Sequence, residues 1–100
     1  MQKVLLFILF IFSIKIGLAQ TEFKVQGNVF ASNGLPAKGA MVSLGDNHKT
    51  ETDAAGHFNF TNIKEGNVHL LVFLTGYKKY SEKIKLSSDT TLLIQLDSLG

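Results

Sequence analysis

His48-Lys49-Thr50-Glu51 carries the spacing H-x-x-E found in some zinc hydrolases. A catalytic zinc takes three protein ligands, keeps a fourth position open for water, and relies on partners that orient its ligands. These four residues fall on a short polar stretch beside the turn Gly45-Asp46-Asn47. That stretch reads as a strand, and residues three apart on a strand point to opposite faces. His48 and Glu51 are therefore expected to diverge. His57 and His69 sit on the polar side of alternating segments; three scattered histidines without cysteine lack ligand spacing, so solvated surface histidines are expected. Asp46 and Asp53 do not lie in a loop with the repeated oxygen ligands that calcium needs. Asn59-Phe60-Thr61 is a glycosylation sequon by pattern alone. No Ser, His and Asp arrangement and no phosphate-binding glycine loop occurs. The chain is expected to be a non-enzyme, with no catalytic residue, no metal ligand and no cofactor.

The elements that carry these residues read as short strands between turns. Phe23, Val25, Gly27 and Val29 alternate with Lys24, Gln26 and Asn28, the period of a half-buried strand. Asn33-Gly34 and Pro36, the only proline, then turn the chain. Ala40, Val42 and Leu44 alternate next, followed by a polar edge-like strand over 48–52. Asp53-Ala54-Ala55-Gly56 reads as a tight hairpin turn, with Asp capping amides and Gly free to take positive φ. Phe58 and Phe60 point one way, His57 and Asn59 the other. After a turn at Glu65-Gly66-Asn67, Val68 to Leu74 is the most apolar stretch; Thr75-Gly76 ends it. In 80–86, Ile84 and Leu86 face inward and Lys83 and Lys85 outward. Ser87-Ser88-Asp89 turns again before Leu92, Ile94 and Leu96. About seven strands at this spacing predict an all-β sandwich or barrel.

The first nineteen residues stand apart from that domain. Met1, Gln2 and Lys3 precede an apolar run from Val4 to Ile14, and Gly17-Leu18-Ala19 offers small residues at the cleavage positions. This order predicts a secretory signal over 1–19, cleaved after Ala19, and a domain over 20–100. The alternative, a membrane anchor, needs about 20 apolar residues, more than the run supplies. Export places the domain in the periplasm, outer membrane or cell surface. Lys3 and Lys15 belong to the signal, which leaves eight lysines against eight acidic residues. The domain is thus formally neutral, and with no arginine it lacks the usual reader of phosphates and bases. No nucleic-acid partner is expected. With no cysteine, no disulfide supports the fold and no lipid-attached export signal applies. A domain of this size buries about 60% of its unfolded surface and is stable by roughly 3–5 kcal/mol.

The turns carry a further pattern. Gly34-Leu35-Pro36-Ala37-Lys38-Gly39-Ala40-Met41-Val42 has the form G-x-P-x-x-G-A-x-V, Thr52 to Phe58 has the form T-D-x-x-G-x-F, and Gly76-Tyr77 closes the apolar strand. In that order and spacing, from about Phe23 to Leu96, the chain resembles the carboxypeptidase regulatory-like domain family. The resemblance implies a seven-stranded transthyretin-like β-sandwich, grouped with carbohydrate-binding-like folds, and a role without catalysis. It also implies an accessory module of secreted bacterial proteins, commonly placed before the plug and barrel of TonB-dependent outer-membrane receptors. Gly34, Pro36, Gly39, Ala40, Thr52, Asp53, Gly56, Phe58, Gly76 and Tyr77 are read as structural.

Two surfaces remain as candidates. Leu71 and Phe73 lie on the opposite face of 68–74 from Val68, Leu70, Val72 and Leu74, beside His69. Such a face is either covered, as in a central strand buried on both sides, or an exposed docking strip. Tyr77 and Tyr80, with Lys78, Lys79, Lys83 and Lys85, form the second; lysines on an edge also discourage aggregation. The partner expected first is an envelope protein, with contact to the membrane only by association. A carbohydrate is the alternative, resting on the fold that the resemblance implies and on Tyr77 and Tyr80, and a small metal-dependent hydrolase the third reading.

Overall fold

A computed structural model describes residues 21–99. The expected export signal lies outside the described residues. The chain forms seven strands: β1 (Glu22–Phe30), β2 (Met41–Leu44), β3 (His48–Glu51), β4 (His57–Lys64), β5 (Gly66–Phe73), β6 (Tyr80–Leu86) and β7 (Thr90–Gln95). They make two sheets, ordered β4-β1-β7 and β3-β2-β5-β6. All pairs are antiparallel except β1 with β7, which is parallel. This is the all-β sandwich that the alternation predicts.

Period-two burial explains why the sheets face each other. Val25 and Val29 of β1, Val42 and Leu44 of β2, Phe58 and Phe60 of β4, Leu70 and Val72 of β5, and Ile94 of β7 are all buried. Each such side chain contributes about 1.5–3 kcal/mol on leaving water. Gly27 stands between Val25 and Val29 because space there is already filled. A Cβ on it would overlap the Leu92 carbonyl oxygen and approach Phe58 Cζ to 2.8 Å.

Three features depart from the sequence reading. The strand begun by Phe58 and Phe60 runs on to Lys64. Its register against β1 slips between Phe23 and Val25, inserting one residue into β4. Asn62 takes positive φ, 58°, within that stretch, and its Nδ2 donates to Glu22 Oε1 at 3.0 Å. The extra residue turns Ile63 inward, so it is buried with Phe58 and Phe60. Next, Asp53 to Gly56 is the expected tight turn, with Gly56 N–H donating to the Asp53 carbonyl at 2.9 Å, but it closes no hairpin: β3 and β4 belong to different sheets, so this segment carries the chain across the sandwich. Finally, only Glu65 separates β4 from β5, and Gly66 is already in strand.

Candidate interaction surface

The signature turns meet at one end of the sandwich. Thr52 is 4% exposed. Its Oγ1 accepts from the Ala40 N–H at 2.8 Å and donates to the Ala37 carbonyl at 2.6 Å. Backbone bonds join the same pieces, from Gly39 N–H to the Thr52 carbonyl and from Thr52 N–H to the Ala40 carbonyl. The threonine of the second motif therefore clamps the P-x-x-G-A segment of the first. Asp53 Oδ1 accepts from the N–H groups of Ala55 and His57, both at 2.9 Å. The His57 amide is the chief reason its carboxyl lies below the ordinary value of 3.8; a smaller desolvation effect opposes it.

Gly56 takes φ 76° against β1. Its carbonyl accepts from Val29 N–H, and the Val29 carbonyl accepts from Ala37 N–H, both at 2.8 Å. A Cβ at Gly56 would overlap that Val29 oxygen. Gly34 and Gly39 also take positive φ, Pro36 forms a bridge with Phe30, and Ala40 and Phe58 are buried. Gly76 and Tyr77 anchor the C-terminal segment: Tyr77 bridges to Ser98, and Leu99 N–H donates to the Gly76 carbonyl. Every motif residue thus has a structural place.

The H-x-x-E residues separate as strand geometry requires. His48 pairs with buried Leu44 and Glu51 with Met41, so they lie on opposite faces of the sheet. His48 meets the ring edge of Phe60 at a centroid distance of 6.3 Å. Among the described residues, no group of three or more histidines and acids is gathered for a metal.

The outer face of β3-β2-β5-β6 is a different matter. β5 is central, between β2 and β6, yet its second face is open: Phe73 is 54% exposed and Leu71 half-buried. Phe73 pairs with Met41, itself 42% exposed, and Leu71 with Ser43. Met41, Leu71 and Phe73 therefore form one apolar strip. Glu51 pairs with Met41 and Lys49 with Ser43 on one flank; Lys83 pairs with His69 and Lys85 with Asn67 on the other. His69 Nε2 and Ser81 Oγ share a hydrogen bond of 2.6 Å. Met41 escaped the sequence reading because it is thirty residues from its neighbours in the strip; only the β2–β5 register brings it there.

Tyr77 and Tyr80 do not belong with His69, Leu71 and Phe73. Tyr80 pairs with buried Val72, so it shares the inner face, and both tyrosines pack against the core. The Tyr80 hydroxyl donates to Glu82 Oε1, and that carboxylate is the main cause raising its pKa above the ordinary 10.0. The two-tyrosine platform is thus replaced by a strip that runs through Met41.

Fold and surface define a seven-stranded β-sandwich module whose turn residues serve its architecture. The sequence profile of the CarboxypepD_reg-like domain matches residues 25–99, and the chain belongs to that family. No curated protein matches it in sequence. Among solved structures, a chain of the type II cohesin–X-dockerin complex of Acetivibrio cellulolyticus superposes with a TM-score of 0.68 at 16% identity, over 76% of this chain and 58% of that one. Catechol 1,2-dioxygenase from an Acinetobacter species gives 0.69 at 11% identity, over 81% and 54%. The major pilin subunit of Bacillus cereus gives 0.66 at 19% identity, over 78% and 30%. At these identities the likeness is one of fold, and this chain spans little more than half of the first two structures.

Proposed function

We propose that the chain is a non-catalytic interaction module of the bacterial cell envelope, exported by residues 1–19 and acting beside a TonB-dependent outer-membrane receptor. The observation that carries this reading is the strip Met41–Phe73–Leu71, open on a central strand whose other face is core. An aromatic side chain left exposed among lysines is the composition of a protein-contact centre with a polar rim. Family membership supports a regulatory-like role rather than chemistry, and the divergence of His48 from Glu51 leaves the hydrolase reading without its ligand pair. The carbohydrate reading rested on the implied fold and on Tyr77 and Tyr80; the two tyrosines pack against the core, which leaves it the fold alone.

The test is co-purification of the tagged chain with an identified TonB-dependent receptor from outer-membrane fractions. Phe73→Asp is expected to abolish recovery of the receptor, while Leu35→Asp, at an exposed loop position, leaves it intact. Equal recovery with both variants, or no receptor with the wild-type chain, overturns the proposal.

A further inference from the structure

Both sheets end in open strands: β3 and β6 bound one, β4 and β7 the other. An open strand offers unpaired N–H and C=O groups to any chain that can pair with it, and charges, bulges or short length ordinarily guard it. β3 is four residues long with Lys49 and Glu51. β4 carries Lys64 and the irregular register around Asn62. β6 carries Glu82, Lys83 and Lys85. β7, Thr90-Thr91-Leu92-Leu93-Ile94-Gln95, has none of these guards: no charge, no proline, and an unbroken register against β1.

The hydrogen-bond phase fixes which groups of β7 are open. Leu96 N–H donates to the Phe30 carbonyl at 2.8 Å, continuing the parallel ladder with β1. In such a ladder alternate residues face the partner strand. Thr90, Leu92 and Ile94 therefore face β1 in phase with Leu96. Thr91, Leu93 and Gln95 turn their N–H and C=O groups away from it. Leu93 is also 76% exposed, more than any other large hydrophobic side chain among the described residues.

We infer that this edge pairs with β7 of a second copy of the chain, antiparallel about a twofold axis through Leu93. That register sets Leu93 against Leu93 and Thr91 against Gln95 of the second copy. Every outward N–H and C=O of the three residues then has a partner, and the two exposed leucines cover each other on one face. Within Thr91 to Gln95 no charges meet; beyond them Asp89 comes opposite Asp97 of the second copy, whose carbonyl already accepts from Lys78 N–H, so the pairing is confined to these residues. The same operation on β6 about Lys83 sets lysine against lysine, which is destabilising. The twofold pairing also closes. Each copy uses its β7 once, and the outer edge of the joined sheet becomes β4, whose bulge resists further addition.

The chain has no cysteine, so Leu93→Cys gives a clean test. In a hydrogen-bonded antiparallel pair the Cα atoms lie about 5.5 Å apart, within the range a disulfide spans. Leu93→Cys is expected to oxidise to a covalent dimer on the order of tenfold or more faster than Leu35→Cys, because its thiols meet inside a formed pair. Sedimentation equilibrium of the wild-type chain is expected to show a concentration-dependent dimer. Leu93→Lys, which sets like charges together, is expected to abolish it, with the urea midpoint unchanged when measured at a concentration where the wild-type chain is monomeric. A wild-type monomer at all accessible concentrations, equal oxidation rates, or a dimer that persists in Leu93→Lys overturns the inference. So does β7 paired with a strand of another protein in place of its own copy.

Discussion

Replacing Thr52 with valine keeps the shape of the side chain and removes one hydroxyl. That oxygen joins two motifs: it accepts from Ala40 N–H and donates to the Ala37 carbonyl. Ala40 is 0% exposed and Ala37 3%, so water does not readily replace either bond. A buried backbone group left unpaired costs about 1–3 kcal/mol, and the two together about 2–6 kcal/mol by the same principle. A domain of this size is stable by roughly 3–5 kcal/mol, so Thr52→Val removes most of its margin. Thr52→Ser keeps both bonds and loses one methyl, about 1 kcal/mol. Urea unfolding of the purified chain, followed by far-ultraviolet circular dichroism, separates the cases. With a slope of about 1 kcal/mol/M, valine is expected to lower the midpoint by about 2 M or more and serine by about 1 M, both at unchanged slope. A valine midpoint close to wild type, or a serine variant as unstable as the valine one, refutes the clamp.

Two further predictions concern the same crossing. Gly56 and Gly39 take nearly equal positive φ, 76° and 77°, so alanine costs each about 1–2 kcal/mol through the backbone. Only at Gly56 does a Cβ meet a wall, the Val29 carbonyl oxygen. Gly56→Ala is expected to lower the thermal midpoint clearly more than Gly39→Ala; equal losses would contradict the close approach. Asp53 supplies the pH dependence. Its folded carboxyl titrates below the unfolded value near 3.8, chiefly through the His57 amide. Its contribution is therefore complete above that pH and is lost as pH falls through the folded pKa. Asp53→Asn keeps an acceptor oxygen but does not titrate, so its urea midpoint should fall less steeply on acidification. Parallel acid limbs in the two proteins would remove Asp53 from the account.

The strands were legible because their inner positions alternate without interruption in β1, β2 and β7. The topology was less so. Asp53 to Gly56 has the composition of a hairpin turn, and nothing local distinguishes a turn that returns within one sheet from one that crosses to another. What decides it is distant: Gly56 bonds to Val29 of β1, and Thr52 holds Ala37 and Ala40. The bulge in β4 was hidden for the opposite reason. Ile63 is out of phase with Phe58 and Phe60, and period two alone reads it as outward until Asn62 supplies the extra residue. The candidate surface divided along the same line. Leu71 and Phe73 were readable as a second apolar face of one strand. Met41 was not, because cross-strand register is a property of pairing and leaves no local mark. Tyr80 was misplaced although the alternation that puts Ile84 and Leu86 inward also puts Tyr80 inward; the neighbouring lysines drew the reading outward.

That division bears on where function lies in this module. The motif residues join loops to strands and one sheet to the other, through Thr52, Asp53 and Gly56 and, at the same end, Gly76 with Tyr77. They account for the resemblance to the family and are consumed by the fold. A property specific to this chain must therefore come from positions whose side chains or backbone groups the fold leaves unused. Two such places are open in different ways. The strip of Met41, Leu71 and Phe73 offers apolar side chains on a sheet whose backbone is already paired, so it selects a partner by shape and contact. The edge of β7 offers backbone groups, so it selects only an extended strand in register. The first lies on the outer face of one sheet and the second on the edge of the other. Occupying one therefore does not exclude the other, and a β7-joined pair would present two copies of the strip to the same partner, raising its avidity without any new contact.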